Sequence, residues 1–348
     1  FADNMLQRQI LQQYNIAIRN RTDHFQSNLV FNSRHDNTGV IGDENDQFNI
    51  FYKGSYNVGK WLTANIGMNT IISSSDVTNT PNGDARNPFG HAPYESLYDE
   101  NGELANLASI GFTNPDYVLP EHYTKGFRSS FYNPLQDKWE DRISSGRLNS
   151  RLQGELIFRI IDGLTVNTQF LYEMGRSHSI HDMTENSIVM RQMRNAYTVP
   201  NPDGTFSYLI PENGGYRATQ NTRTDAWNGR GQLNFDRSFG KLDVNLLAGL
   251  EFRETLSRGT KGMMLGYDDQ LQSHATTSVD FPYLNTLTQT PYYGSDCYAN
   301  QLYYSPYMAN AIGPMREVWH RYASGYANLT LSWDEKYHLF GSYRSDYA

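Results

Sequence analysis

The sequence predicts an all-β protein: an antiparallel, up-and-down transmembrane β-barrel, built here from about ten strands with long loops on one side. Three observations predict it. A two-residue hydrophobic period runs through long segments, those segments have lengths that suit a bilayer, and the connections alternate between very short and very long.

The period is plainest at 242–252. There Leu242, Val244, Leu246, Ala248, Leu250 and Phe252 oppose Asp243, Asn245, Leu247, Gly249 and Glu251, with Arg253 next in phase. At 148–160 one face carries Leu148, Ser150, Leu152, Gly154, Leu156, Phe158 and Ile160, and the other Asn149, Arg151, Gln153, Glu155, Ile157 and Arg159. At 47–58 Phe48, Ile50, Tyr52, Gly54, Tyr56 and Val58 oppose Gln47, Asn49, Phe51, Lys53, Ser55 and Asn57. Alternation of this kind sends one set of side chains to each face of a strand.

Length then separates membrane from globule. Segments of eleven to fourteen residues exceed the five or six of an average globular strand and match the roughly 9–11 that a tilted strand needs to cross a bilayer. Tight turns fall at 21–23, 58–60, 161–163, 236–240 and 334–336. Between them lie one modest loop, 34–46, and three long ones, 73–143, 175–223 and 255–320. Because the long connections all fall on one side, the pattern is that of barrels with short periplasmic turns and long external loops. Ten strands are expected at 12–20, 24–34, 47–58, 61–73, 146–160, 163–175, 223–236, 240–256, 320–333 and 337–348.

Aromatics gather near the short turns: Tyr56, Trp61, Phe158, Phe235, Phe239, Trp333 and Tyr337. Rings with an apolar body and a polar edge favour the headgroup level, although strands favour aromatics in any setting.

Composition agrees. Charged residues make up 19% and hydrophobic residues 38%, while aromatics reach 14%, with 25 Tyr and 17 Phe among 348 residues. A net charge of -8 leaves no basic stripe to neutralise phosphates, which argues against nucleic acid. Mean hydropathy is -0.65, and no apolar run approaches the roughly 20 residues of a membrane helix. Alternating strands cancel in such an average, so it does not exclude the membrane. The single cysteine, Cys297, forms no intrachain disulfide framework and reads as a loop thiol without a role. The chain opens at Phe1 and stops at Ala348 within a strand-like run. It is therefore expected to be a fragment, a single stretch of barrel over 1–348.

Enzyme motifs are missing: there is no nucleophile elbow, P-loop, zincin pair or C-x-x-C. No catalytic residue, metal or cofactor is expected. Gly229-Arg230-Gly231 lacks the third glycine and helix of a dinucleotide site and reads as small residues on a barrel face. His178, His181, Asp182 and Glu185 invite a metal reading, but their spacing matches no standard site. Asp43, Glu44 and Asp46 form an acidic loop tip without EF-hand spacing, better read as solvated surface than as a Ca²⁺ site. Asn82-Gly83-Asp84, 99–102 and 201–204 are turn signals, which predict small hairpins within the long loops.

The segment 319–347 resembles a barrel hairpin of the SusC/RagA family of TonB-linked outer-membrane transporters. In that family an Arg-led strand ends in an aromatic, an acidic-Lys-Tyr turn follows, and the next strand carries Arg-x-Asp. Here those elements are Arg321, Trp333, Asp334, Lys336, Tyr337, Arg344 and Asp346. The 57–62 hairpin with Trp61, the turn Asp162-Gly163-Leu164 and the region 14–39 also resemble family segments, although Asp36 to Gly39 departs from the family's Gln-Glu-Gly loop. The resemblance implies a barrel of about 22 strands with an N-terminal plug, powered through TonB and lidded by a SusD-like lipoprotein. It implies import of glycans or peptides across a Bacteroidetes outer membrane, in dimers of transporter–lipoprotein pairs. Plug, TonB box and remaining strands would lie outside this chain. The competing readings are a passive porin, separated by what precedes Phe1 in the gene, and a secreted β-rich adhesin or carbohydrate-binding protein, which predicts short strands in a sandwich.

Cargo contact is expected from one external loop, where Tyr292, Tyr293, Tyr303, Tyr304 and Tyr307 follow Tyr283 and flank Tyr298. Tyr offers a flat apolar face and a hydroxyl at low entropic cost. The alternative, and the commoner use of such rings, is to pack the loop against itself or against a partner lid.

Overall fold

The computed structural model describes residues 2–80, 95–107, 127–129, 131–201, 203–276, 279–286 and 315–347. Ten strands form one antiparallel sheet, each beside its neighbour in the chain. They are β1 (Leu11–Arg21), β2 (Phe25–Asp36), β3 (Glu44–Val58), β4 (Leu62–Thr78), β5 (Asp141–Ile161), β6 (Leu164–Met183), β9 (Gly215–Phe239), β10 (Leu242–Tyr267), β11 (Arg316–Trp333) and β12 (Tyr337–Tyr347). β7 (Thr198–Pro200) and β8 (Phe206–Tyr208) pair separately between β6 and β9. Short helices α1 (Ala2–Met5), α2 (Pro134–Glu140), α3 (Ile188–Ala196) and α4 (Phe281–Thr286) lie off the sheet. No helix among the described residues is long and apolar enough to cross a membrane, which says nothing of strands.

All ten predicted strands are present, and at the short turns their ends agree within three residues. At the other end the strands run on. β4 continues to Thr78, β6 to Met183 and β10 to Tyr267, while β5 starts at Asp141 and β9 at Gly215. The expected loops 73–143, 175–223 and 255–320 are thus shorter than the sequence suggested, and 34–46 shrinks to 37–43. Beyond the apolar stretch both faces turn polar, so the hydrophobic period vanishes while the backbone ladder persists.

Local chemistry sets the short turns. Asp334 and Glu335 both have positive φ, 51° and 56°, within the three-residue turn that joins the paired Trp333 and Tyr337. Asp334 holds that geometry by pairing with Lys241 and Lys336, each at 2.9 Å. Gly163 has φ of 82° at a point where the Asp236 carbonyl leaves no room for a Cβ.

Register carries the alternation across the whole sheet. The row Leu246–Phe235–Leu164 continues on the other side to Leu329. Three rows further along, Phe252, Gly229, Phe170, Gly154 and Ile66 share the same face. Phe170 (52% exposed), Leu250 (59%) and Phe252 (51%) have no protein cover on that face. The opposite face is polar, and the buried strand residues Thr63, Ala226 and Ser324 lie on it. A predominantly apolar, uncovered sheet face, on which Thr70 and Ser150 satisfy each other at 2.9 Å, is stable against lipid rather than water.

Two aromatic levels bound this face. Phe239, Trp333 and Tyr337 flank Leu242 at the short turns, and Tyr172 and Trp227 pair twelve residues further along β9. At about 3.3 Å per residue and the usual tilt, the levels stand roughly 30 Å apart, the thickness of a hydrocarbon core.

The packed core sits in the long connections. Leu97, Leu107, Tyr132, Met183, Ile188, Met190, Met193, Tyr197, Ile210, Tyr216, Leu265 and Leu284 form one buried cluster. It ties α3 and α4 to the loop-side ends of β6, β9 and β10. The turn signals contribute as expected: Gly102 (φ 83°) donates to Asp99, and Gly204 (φ 81°) closes the β7–β8 hairpin onto Asn201.

Candidate functional site

The polar sheet face beneath this loop core is the candidate site. Its residues come from the second phase of each strand: Asn65, Asn69, Arg147, Asn149, Arg151, Glu173, Asn228, Glu251 and Arg253. Cross-strand pairs hold it in place. Asn65 donates to Glu155 at 2.9 Å, Asn228 donates to Glu251 at 2.5 Å, and Arg151 lies 3.6 Å from Glu173. Nearer the short turns Arg159 donates to Thr63 at 3.0 Å, and Tyr326 to Gln232 at 2.9 Å. At the β12 edge Tyr322 and Arg344 both donate to Asp346, at 2.6 and 2.9 Å.

Two open cavities mark the wall. One, of about 420 Å³, is lined by Asn69, Asn149, Arg151, Glu173 and Arg253 among others. The second, of about 600 Å³, lies closer to the loops against Arg34, Asp36, Arg147, Ser177 and Gln220. Guanidinium, amide and hydroxyl groups in this density replace water for a polar solute without gripping it at one point.

The loop core above is fastened by polar contacts of its own. Asn133 caps α2 by accepting from Leu135, and its amide donates to the Leu97 and Ala105 carbonyls, each at 2.9 Å. Asp137, buried in α2, accepts from the Ile188 backbone N–H at 2.8 Å and so caps α3 from another segment. Burial raises the Asp137 carboxyl to about 7, helped by Asp141 and Glu140 and opposed by the Ile188 N–H and Arg191. Arg191 donates to the Ser129 and Phe131 carbonyls at 2.6 Å, and Arg128 to that of Glu212 at 2.8 Å.

The expected cargo tyrosines Tyr292, Tyr293, Tyr303, Tyr304 and Tyr307, together with Tyr298, Cys297 and the 82–84 turn, lie outside the described residues. Tyr283 is described and stands half-exposed on α4. The four residues of the metal reading diverge. His181 bonds the fully buried Asp141 at 2.7 Å, Asp182 pairs with Arg217 at 2.5 Å, Glu185 accepts from Gly214 at 3.1 Å, and His178 fills the notch over Gly146.

Two expectations fail. Asp43 is not a solvated tip: it is buried and accepts from the Thr78 N–H at 2.6 Å, tying the β2–β3 loop to the end of β4. Lys138, which falls in the long external loop expected at 73–143, is buried and donates to the Asn4 carbonyl at 3.3 Å beneath α1. Sequence reasoning also missed the convergence of Arg147, Arg151 and Arg253. Each was legible as a polar-phase residue, but only register brings β5 and β10 onto one wall.

The sheet, its uncovered apolar face and its polar opposite face define a membrane-spanning β-barrel architecture. Solved structures carry the likeness further. The chain is similar to one in the RagAB peptide transporter, at 14% identity and TM-score 0.62, and to the same importer in its closed-closed (0.63) and open-open (0.60) states, also at 14% identity. In each comparison 99% of this chain is matched against 32% of the other, so it spans about a third of their length. No protein-family model matches the sequence, and no curated protein does.

Proposed function

We propose that these ten strands are part of a larger outer-membrane barrel, of about 22 strands, that imports peptides or oligosaccharides with energy delivered through TonB. The observation that supports this most is the likeness of nearly the whole chain to the RagAB peptide importer in three structures. The two sheet edges agree with it: among the described residues β1 pairs only with β2 and β12 only with β11. Bare edges are not tolerated in lipid, so further strands must close the sheet. On this reading the plug and those strands belong to the rest of the full-length protein. The long loops face outward, and a SusD-like lipoprotein covers them, in a dimer of such pairs.

Cargo then meets the Tyr292–Tyr307 region first and the Arg147–Arg151–Arg253 wall after it. Deleting the gene in its host should abolish uptake of labelled peptides or oligosaccharides, and so should deleting TonB. Uptake that survives loss of TonB would instead favour a passive porin. Within that assay, Tyr303→Ala with Tyr304→Ala should weaken uptake at normal barrel abundance if the rings hold cargo. Lower abundance or a loosened lid would assign them to packing, and unchanged uptake would remove them from the path.

A further inference from the structure

The apolar face ends on its loop side in a row of cations. Arg176 of β6, Arg223 of β9 and Arg258 of β10 are direct cross-strand partners, so they stand side by side on the outward face. The row lies four residues beyond the Tyr172–Trp227 level, about 10 Å further from the bilayer centre at the usual rise and tilt, where headgroups lie. Beyond that aromatic level, toward the bilayer centre, come the exposed Phe170, Leu250 and Phe252.

Like charges placed opposite one another on a sheet repel, and the carboxylates nearby offset this only in part. Asp225 is shared between Arg176 at 2.8 Å and Arg223 at 2.6 Å, and also accepts from Tyr172 at 2.9 Å. Arg258 pairs with Glu317 at 2.8 Å, and Arg321 with Glu254 at 2.7 Å while stacking over Trp319. Four arginines thus face three carboxylates, a local excess of positive charge on a chain of net -8. Arg223, Arg258 and Arg321 meet their carboxylates through Nε and remain half or more exposed at the side chain. The forks of Arg223 and Arg258, arrayed at the strand spacing of about 4.8 Å, suit the oxygens of a phosphate, and Arg176, held by the Gly175 and Thr224 carbonyls and Asp225, adds charge beside them.

We propose that Arg176, Arg223 and Arg258 form a binding site for the phosphate-bearing headgroup of a membrane lipid, whose acyl chains lie down the apolar face below. This rests on the outer-membrane reading above, which places the row in the outer leaflet. A lipid is favoured over a soluble phosphate because the row opens onto the lipid-facing side and not into the polar wall.

The test is native mass spectrometry of the full-length transporter in mild detergent with added diphosphoryl lipid A. The same lipid without its phosphates and inorganic phosphate serve as comparisons. Wild type should hold the diphosphoryl lipid and lose it about a hundredfold in R176Q/R223Q/R258Q, at roughly fivefold per arginine near a charged surface. R176K/R223K/R258K keeps the charge and should retain most binding, and K60Q/K336Q at the short-turn end should change nothing. Heat-modifiable gel mobility certifies folding, and if the triple variant does not fold, R258Q alone should lose about fivefold. Equal binding by the glutamine variant or by the dephosphorylated lipid would overturn the site, as would displacement by inorganic phosphate. Lipid binding is read without cargo, so failure of the import reading in the uptake assay leaves this result separately legible.

Discussion

Asp137 couples the folding of the loops to pH. Its Oδ1 caps α3 through Ile188, while its Oδ2 has no hydrogen-bond partner among the described residues. Burial raises this carboxyl to about 7, against about 4 in an unfolded chain. A folded-state value above the unfolded one means that the stabilising contribution is complete below about pH 4 and is lost as pH rises through 7. Hydrogen exchange at the α3 amides, corrected for intrinsic rate, should therefore report looser loops at pH 8 than at pH 5. Asp137→Asn keeps the acceptor and removes the charge. It should restore protection at pH 8, by a few kcal/mol at most at about 1.4 per unit, and change little at pH 4. Loops equally protected at both pH values in the parent would contradict the assignment. None of this was legible in the sequence, where both Asp137 and Lys138 fall inside the single long loop expected at 73–143. Their burial depends on segments far away, α3 for one and α1 for the other.

Among the elements β10 is the most informative. From Leu242 to Phe252 its two phases are chemically distinct, and the register sets Leu246 between Phe235 and Leu329, and Asn245 between Asp236 and Thr330. Leu246→Arg should cost roughly 2–4 kcal/mol of folding into bilayers, whereas Asn245→Arg should cost much less. Equal losses at the two positions would remove the facial assignment. Beyond Phe252 the same strand places Glu254, Leu256, Arg258 and Thr260 on the outward face, and there the hydrophobic period no longer speaks. Strand and turn positions were thus legible as far as lipid imposes its chemistry. The strand extensions, the loop core and the arginine wall were not, because they arise from pairing between distant segments.

For the whole molecule, every short turn lies at one end of the sheet and the folded loops at the other. Trypsin added to intact cells should cut within the long connections, at Lys125 or the exposed Arg128, unless a lid covers them, and should spare Lys60 and Lys336. Lys138 should also survive, since it is buried. Cutting at Lys336 in sealed cells would reverse the orientation.

One face of this sheet meets lipid over a belt that ends at the second aromatic level. A single-cysteine fluorophore scan along β10, from 243 to 259, in the full-length protein with Cys297 replaced and reconstituted in bilayers, tests it most directly. Quenching by brominated lipid should alternate with a period of two, strong at 244, 246, 250 and 252 and weak at 243, 245 and 251. It should fade at 254 and be gone by 258. Uniform quenching on both faces, or strong quenching persisting at 258, would contradict the account.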